Sequence, residues 1–300
     1  MVGEWSARLR RTVGPYVPAR VRGAIRVAQG RARAVPIEPG ADPGDGDPTT
    51  REAPAAPAAT VPGSRYEAVY EAHAQALPPE LAIGDGDYDE VGTVELSALV
   101  QEGLTPASTL LDFGCGTGRL AVHAVPFLRS GRYVGTDISA TMIARCAARL
   151  DDLDRDDSEC AVTLVHQTSE TLPVDDHSVD VLCAFSVFTH MDHEDAYRHL
   201  VAATRVMKPG GVLLASVLPL HLHDAQQVFL ASAADAPDDR WSKVRNVTTS
   251  TELFELVAGL AGWTVVRWHD GASRTIRLLG SEDLVTLGQS IVVLRPTVDA

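Results

Sequence analysis

A glycine-rich loop and a later acidic residue are the residues of this sequence best suited to chemistry. Residues 110–120 read LLDFGCGTGRL, so an apolar run leads into Gly114, Gly116 and Gly118. Glycines tolerate positive φ angles and let a ligand approach the backbone closely. Asp137 stands nineteen residues after Gly118, at the end of a second apolar run. Its carboxylate can accept hydrogen bonds from the hydroxyls of a ribose. These residues predict a site for a nucleoside cofactor.

The elements that must position this site follow from the hydrophobic pattern. From residue 64 onward, short apolar runs alternate with helical patterns, which is typical of a parallel α/β sheet. In such a sheet the carboxyl ends of the strands meet at one edge, where ligands bind. Strands are predicted at 109–113, 132–136, 161–166, 179–184, 211–217, 263–269 and 289–295, and helices at 65–77, 92–103, 118–129, 139–149, 194–206 and 251–261.

The glycine spacing separates two kinds of nucleoside cofactor. Dinucleotide-binding loops read G-x-G-x-x-G because their glycines accommodate a pyrophosphate. This loop reads G-x-G-x-G, and Asp112 stands two residues before its first glycine. A carboxylate there suits a cationic ammonium group better than a pyrophosphate. A nicotinamide oxidoreductase is therefore disfavoured.

The loop and the strand-terminal acid together resemble the class I methyltransferases, which use S-adenosylmethionine (SAM). Residues 172–191 (LPVDDHSVDVLCAFSVFTHM) are similar to the third and fourth strand region of that family, and residues 205–216 (RVMKPGGVLLAS) to the fifth. The match covers residues 92–217 well and 251–295 loosely. It implies an α/β fold with a doubly wound, seven-stranded sheet of order 3-2-1-4-5-7-6, in which the last strand is antiparallel.

The same resemblance assigns the cofactor contacts. The methionine end of SAM is expected at Asp112 and at the loop of Gly114, Cys115, Gly116 and Gly118, and the ribose hydroxyls at Asp137.

The adenine and the sulfonium are expected to meet other residues. Ile138 and Met142 are expected to flank the adenine ring, and Phe185 to lie beside the sulfonium. Thr168 stands where family members commonly place an acid for the adenine amino group. The Thr168 hydroxyl or the backbone near Ser169 is therefore expected to make that contact.

His190 is the candidate catalytic base. It lies six residues past the fourth predicted strand, in SVFTHM, where the chain should reach the crevice at the strand ends. A histidine whose pKa is near 6.5 can be neutral and accept the proton of a hydroxyl nucleophile. A structural role, in which the ring orients its loop through a backbone carbonyl, stays open.

The acceptor is predicted to be a small molecule. The Asn-Pro-Pro-Tyr tetrad that marks many amino-group methyltransferases does not follow the fourth strand, where the sequence reads AFSV. Residues 88–120 together with SVFTHM also resemble bacterial methyltransferases of glycan and secondary-metabolite pathways. Both points favour the hydroxyl of a sugar or secondary metabolite, with a carbon acceptor as the other possibility.

Charge is distributed unevenly along the chain. Residues 1–33 carry a net +7, residues 34–63 carry −4 with seven prolines, and the remaining 237 residues carry −17. We predict a basic N-terminal arm over 1–33, a disordered linker over 34–63 and one domain over 64–300, with a substrate-side insertion at 218–250. Since an acidic body repels phosphate backbones, nucleic acid is a disfavoured partner.

Two alternatives remain from other functional classes. One is an RNA methyltransferase that uses the basic arm, and the other is a binding protein that keeps the fold without catalysis.

The helix at 65–77 places Tyr66, Tyr70 and His73 at helical spacing, either as a lid over the cofactor or simply as packing.

The composition also points to a location. No apolar run approaches the roughly 20 residues of a membrane span, and the N-terminus lacks the apolar core of a secretory signal. The four cysteines show no paired spacing, and His221, His223 and Asp224 lack further ligands at metal-binding spacing. We therefore expect a soluble cytoplasmic protein without a metal site, whose oligomeric state the sequence does not indicate.

Overall fold

A computed structural model describes residues 65–83, 87–153, 158–236, 239 and 241–297. The predicted basic arm (1–33) and linker (34–63) lie outside these residues. Within the described part of the chain, no helix combines the length and the apolar character that a bilayer crossing needs.

The strands form a seven-stranded sheet and a separate two-stranded ribbon. The sheet has the order β3-β2-β1-β4-β5-β9-β6, in which β9 pairs antiparallel with both neighbours and the other pairs are parallel. This confirms the predicted fold and strand order, with β9 as the seventh strand of the sheet. The strands are β1 Thr109–Phe113, β2 Arg132–Asp137, β3 Ala161–His166, β4 Val179–Ala184, β5 Met207–Val217, β6 Trp263–His269, β7 Ile276–Arg277, β8 Leu284–Val285 and β9 Ser290–Pro296.

Helices cover both faces of the sheet. They are α1 Arg65–Ala76, α2 Tyr88–Gln101, α3 Ala121–Phe127, α4 Ala140–Asp151, α5 His193–Val206, α6 His223–Ala233 and α7 Thr251–Leu260, with a short 3₁₀ helix at Phe188–His190. Successive strand residues point to opposite faces, so Leu110 and Leu111 enter different halves of the core. Leu110 packs in the half that holds α2, α3 and α4, and Leu111 in the half that holds α5 and α7.

Helix α2, strand β5, helix α6 and the β7–β8 ribbon differ from the sequence prediction. Helix α2 begins at Tyr88, four residues earlier than predicted, because the Asp87 side chain caps it by accepting hydrogen bonds from two backbone N–H groups. Strand β5 begins at Met207 and includes the K-P-G-G segment, since Met207 pairs with Val179 of β4. Helix α6 and the β7–β8 ribbon occupy stretches for which no element is predicted.

Candidate active site

The glycine loop between β1 and α3 is folded so tightly that side chains are excluded from it. Gly114 has a φ of +81°, and a Cβ built on it would lie 2.4 Å from Cγ2 of Val187. Gly118 has a φ of +89°, and its Cβ would lie 2.9 Å from the Cys146 sulfur. At both positions only glycine fits, because the φ is positive and a neighbouring side chain occupies the place of a Cβ. The close packing of Val187 and Cys146 against the loop therefore requires glycine at these two positions.

Asp137 joins the loop to the end of β2. Its Oδ2 accepts a hydrogen bond of 2.9 Å from the Gly116 N–H, and its Oδ1 accepts one of 2.8 Å from the Ser139 N–H. Burial raises the pKa of Asp137 to about 6, against the lowering effect of these two hydrogen bonds. Each carboxylate oxygen has a second lone pair, so the group can still accept from ribose hydroxyls. The structure thus brings together the two features that the sequence singled out first.

Asp112 points into the core beneath the loop. Its side chain accepts hydrogen bonds from the Tyr133 hydroxyl at 2.6 Å and from the Cys183 sulfur at 3.5 Å. Asp112 is only 3% exposed, and burial raises the pKa of its carboxyl to about 7 although the Tyr133 hydrogen bond lowers it. Both oxygens of Asp112 thus have a partner inside the protein, and its contact with the methionine end of SAM stays a prediction.

The remaining predicted cofactor residues flank the end of β2 or lie beyond β3 and β4. Cys115 is buried, and its N–H donates to the Thr136 carbonyl at 2.8 Å. Ile138 is half-buried and Met142 is buried beneath α1. Phe185 is buried directly after β4.

Thr168 and Ser169 both have exposed side chains in the loop after β3. Gln167, which the sequence analysis does not select, is the buried residue of this loop. Its Nε2 donates to the carbonyl oxygens of Ser169 at 2.9 Å and Thr171 at 3.3 Å, and these contacts fix the orientation of the amide. Its Oε1 is buried without a hydrogen-bond partner among the described residues. An unpartnered buried acceptor costs about 1–3 kcal/mol, which a ligand N–H would relieve.

Helix α1 is docked over the corner between β2 and α4. The Glu71 carboxylate accepts hydrogen bonds of 2.6 Å from the Ser139 hydroxyl and 2.5 Å from the Thr141 hydroxyl. These hydrogen bonds lower the pKa of Glu71 to about 2. Further along the same helix, the Tyr66 hydroxyl donates to Oδ2 of Asp195 at 2.7 Å.

His190 lies in the 3₁₀ helix that follows β4. Its Nδ1 is 2.8 Å from the backbone carbonyl oxygen of Arg245, and its ring meets the Tyr70 ring edge-on at 5.8 Å between centroids. A carbonyl can only accept, so Nδ1 carries the proton and Nε2 is the basic atom of the neutral ring. Burial lowers the pKa of His190, which keeps the ring neutral.

A partly open cavity adjoins His190. Tyr66 and Tyr70 of α1 line one part of it, and Trp241 and Arg245 of the insertion line another. The insertion therefore contributes both the residue that fixes the His190 ring and part of the cavity wall.

No group of three His, Cys, Asp or Glu residues with metal-binding geometry occurs in the portion of the chain that the structure describes. His221, from the His-x-His pair, lies with its Nε2 2.7 Å from Oδ2 of Asp270.

The sheet order, the glycine cradle and the acid at the end of β2 define the class of Rossmann-like, nucleoside-binding methyltransferase folds. Residues 110–211, about a third of the chain, match the family model described as a methyltransferase domain. This domain belongs to the class I SAM-dependent methyltransferases, so the family cofactor is SAM.

The curated relatives of this chain include methyltransferases that act on different atoms. A "Probable methyltransferase ltbC" of Aspergillus luteorubrus is 30% identical over 107 residues, which are 35% of this chain and 38% of that protein. A malonyl-[acyl-carrier protein] O-methyltransferase of Dechloromonas aromatica is 28% identical over 179 residues, or 58% of this chain and 61% of that protein. The ubiquinone/menaquinone biosynthesis C-methyltransferase UbiE of Syntrophotalea carbinolica is 28% identical over 120 residues, which are 40% of this chain and 47% of that protein.

These matches are partial, since the chain spans 38% to 61% of the length of these relatives. Among solved structures, the CcbJ methyltransferase of Streptomyces caelestis aligns over 79% of this chain and 100% of its own length. Its TM-score is 0.53 and its sequence identity is 14%, so the likeness concerns the fold alone.

Proposed function

We propose that this chain transfers the methyl group of SAM to a hydroxyl of a small-molecule acceptor, with His190 as the base. The observation that carries the proposal is the 2.8 Å contact between Nδ1 of His190 and the Arg245 carbonyl, beside the cavity. The contact leaves Nε2 as the proton-accepting atom of a residue that lines this cavity.

The cofactor contacts are proposed on the same basis. SAM supplies the methyl group on a sulfonium, so the protein mainly has to align the reactants. The glycine loop lies beside Asp137 through the Gly116 hydrogen bond, and Asp137 has lone pairs for the ribose hydroxyls. The residues proposed to hold SAM are Gly114, Cys115, Gly116, Gly118, Asp137, Ile138, Met142 and Phe185, with Asp112 supporting the loop from below.

For the adenine amino group, we propose Gln167 as an acceptor in addition to Thr168 and the backbone near Ser169. The support is the buried Oε1 of Gln167, which has no partner in the described structure. Gln167 is also tied to the proposed ribose-binding residue, because its backbone N–H donates to the Asp137 carbonyl at 2.9 Å.

Transfer to oxygen is proposed over transfer to carbon or nitrogen because a neutral histidine suits removal of a hydroxyl proton. The relatives include both an O- and a C-methyltransferase, so they do not decide the acceptor atom. The test uses purified full-length protein, SAM with a deuterated methyl group and a panel of sugars and natural products. O-methylated products support the proposal, whereas N-methylated products alone, or C-methylated products alone, contradict it.

RNA methylation stays the alternative, and it depends on residues 1–33, which lie outside the described residues. It requires RNA binding that weakens steeply with salt and is lost when residues 1–33 are deleted. Salt-independent behaviour, or unchanged RNA binding after the deletion, would exclude it.

A further inference from the structure

Ser186 has an unusual backbone conformation shortly after β4. Its φ is +57°, and among the described residues the one other non-glycine residue with a positive φ is His177, at +51°. This left-handed region strains side chains, although histidine occupies it several times more often than most residues do. His177 lies in an exposed turn before β4, whereas Ser186 is half-buried. Because glycine would take this φ without strain, the feature that serine keeps at position 186 is its hydroxyl.

Two residues hold Ser186 in this conformation. Its backbone N–H donates to the hydroxyl of Ser216 at 2.6 Å, and Ser216 is fully buried in β5. The Ser216 hydroxyl donates to Oε1 of Gln289 at 2.6 Å, and Nε2 of Gln289 donates to the Ser186 hydroxyl at 3.0 Å. The backbone and the side chain of Ser186 are thus tied into one ring of hydrogen bonds. A strained conformation persists only where its surroundings hold it from several sides in this way.

The sheet order brings these three residues to one edge of the sheet. Ser216 is the last residue but one of β5, Ser186 follows the end of β4 by two residues, and Gln289 directly precedes β9. These places meet because β4 is parallel to β5 and β9 is antiparallel to it. Ligands of such sheets bind at the carboxyl ends of the parallel strands. His177, which precedes β4, lies at the opposite edge.

Both chain neighbours of Ser186 border the proposed cofactor site. Phe185 is buried and is one of the residues proposed to hold SAM. Val187 packs so closely on the glycine loop that its Cγ2 would lie 2.4 Å from a Cβ built on Gly114. A rotation of the Ser186 backbone would therefore displace Phe185 or Val187 relative to the loop.

We infer that Ser186 is a positioning residue of the SAM site, whose strained and hydrogen-bonded backbone sets the places of Phe185 and Val187 beside the glycine loop. The inference rests on the proposed function, since the site that these two neighbours border is the proposed SAM site. It does not depend on His190 or on the cavity next to it. The serine hydroxyl acts through its neighbours, because its contact with Gln289 prevents the backbone from relaxing.

Two substitutions at this position separate the hydroxyl from the strain. Ser186→Ala removes the hydroxyl and keeps the strain, because alanine also has a Cβ, whereas Ser186→Gly removes both. Thermal unfolding should give a Tm for Ser186→Gly about 2–4 °C above that of Ser186→Ala. An equal Tm would show that the backbone holds no strain and would contradict the inference.

The readout of positioning is the affinity of the full-length protein for S-adenosylhomocysteine (SAH), the product that SAM leaves after methyl transfer. Calorimetry should show that SAH binds about fivefold to tenfold more weakly to both variants, because both lose the hydrogen bond that holds the backbone. A serine that only stabilises the fold would leave the SAH affinity unchanged at temperatures well below Tm. Wild-type affinity in either variant would therefore overturn the inference.

Gln289→Leu breaks the same hydrogen bond from the other side. It should weaken SAH binding by a similar factor, and the double variant Ser186→Gly/Gln289→Leu should bind SAH no more weakly than the weaker single variant. Losses that multiply in the double variant would show that the two residues act separately, which the inference excludes.

His177→Gly is the matched control, because it relieves the other positive φ at the opposite edge of the sheet. Its SAH affinity should equal that of the wild type. A loss as large as that of Ser186→Gly would mean that any loosening of the chain weakens SAH binding, and the inference would fail. Failure of the wild type itself to bind SAH is a separate result, which would overturn the proposed cofactor site and this inference with it.

Discussion

The Ser139 hydroxyl donates a hydrogen bond of 2.6 Å to the Glu71 carboxylate. Ser139 lies two residues after Asp137 in the chain. Ser139 caps α4 at the same time, since its Oγ accepts a hydrogen bond of 3.1 Å from the Met142 N–H. Helix α1, the start of α4 and the proposed ribose-binding carboxylate therefore share one corner of the molecule. A change in the docking of α1 should be felt at the cofactor site.

Glu71→Gln tests this coupling. Hydrogen bonds from Ser139 and Thr141 lower the pKa of the Glu71 carboxyl from 4.5 to about 2. The ionised carboxylate therefore stabilises the folded protein above pH 4.5, and this contribution is lost as the pH falls toward 2. Hydrogen exchange of the α1 amides should accelerate in the wild type as the pH drops through that range, after correction for intrinsic exchange rates. In Glu71→Gln the helix should exchange faster already at neutral pH.

The control for that variant is Glu80→Gln, which removes the same charge from an exposed ion pair with Arg149. Equal exchange in α1 for Glu71→Gln and the wild type at neutral pH would show that the hydrogen bonds to Ser139 and Thr141 do not hold the helix.

Asp137→Asn should weaken SAM binding by about tenfold to a hundredfold, since a charged hydrogen bond contributes about 1.5–3 kcal/mol. The asparagine keeps one acceptor oxygen for the loop, which limits damage to the Gly116 contact. Calorimetry with SAM measures the change, and Asp176→Asn, in an exposed loop, is the matched control. An unchanged affinity in Asp137→Asn would remove the ribose assignment.

Asp112→Asn should change how stability depends on pH. Burial raises the folded-state pKa of Asp112 from 3.8 to about 7, so between these values the unfolded chain loses a proton that the folded protein keeps. Stability of the wild type should therefore fall as the pH rises from about 4 to 7. Thermal unfolding should show that the stability of Asp112→Asn declines less with rising pH than that of the wild type. Part of the decline that remains comes from Asp137, whose pKa is also raised.

Gln167→Leu and Thr168→Val separate the two side chains proposed for the adenine amino group. Wild-type protein should prefer SAH to S-inosylhomocysteine, in which a carbonyl replaces the amino group, because two acceptors would then face each other. If Gln167 makes the contact, the preference for SAH over S-inosylhomocysteine should fall at least about tenfold in Gln167→Leu. The same preference should stay unchanged in Thr168→Val. The reverse pattern would assign the contact to Thr168.

His190→Ala should lower kcat by about a hundredfold to ten-thousandfold while SAM affinity stays unchanged. Because burial lowers the pKa of His190, the wild-type rate should hold below pH 6.5 before it declines. Both effects are read from the pH profile of kcat/KM once an acceptor is known. Full turnover by His190→Ala would end the assignment of the base.

Much of the fold was accessible from the sequence because its signals are local. Each strand of the main sheet is a short apolar run bounded by turn residues, and the meeting of Gly116 with Asp137 follows from two adjacent parallel strands. Helix α6 was missed because the insertion was treated as an irregular loop, although residues 223–233 contain helix-forming Ala, Gln and Leu.

The direction of the Asp112 side chain was partly predictable. Alternation along β1 places Asp112 on the same face as Leu110, which is fully buried. Its hydrogen-bond partners Tyr133 and Cys183, however, lie on the neighbouring strands β2 and β4. No local pattern in the sequence shows that β1 pairs with both of these strands. The cavity beside His190 could not be predicted for the same reason, since it joins α1 to an insertion more than a hundred residues away.

The backbone carbonyl of Arg245 fixes the proton on Nδ1 of His190. Any amino acid at position 245 would supply such a carbonyl. On the proposed mechanism, side chains at 241, 243 and 245 can be exchanged while the imidazole keeps its tautomer. The insertion would then be a natural place for evolution, or a protein engineer, to retarget the enzyme to new acceptors without rebuilding its proton chemistry.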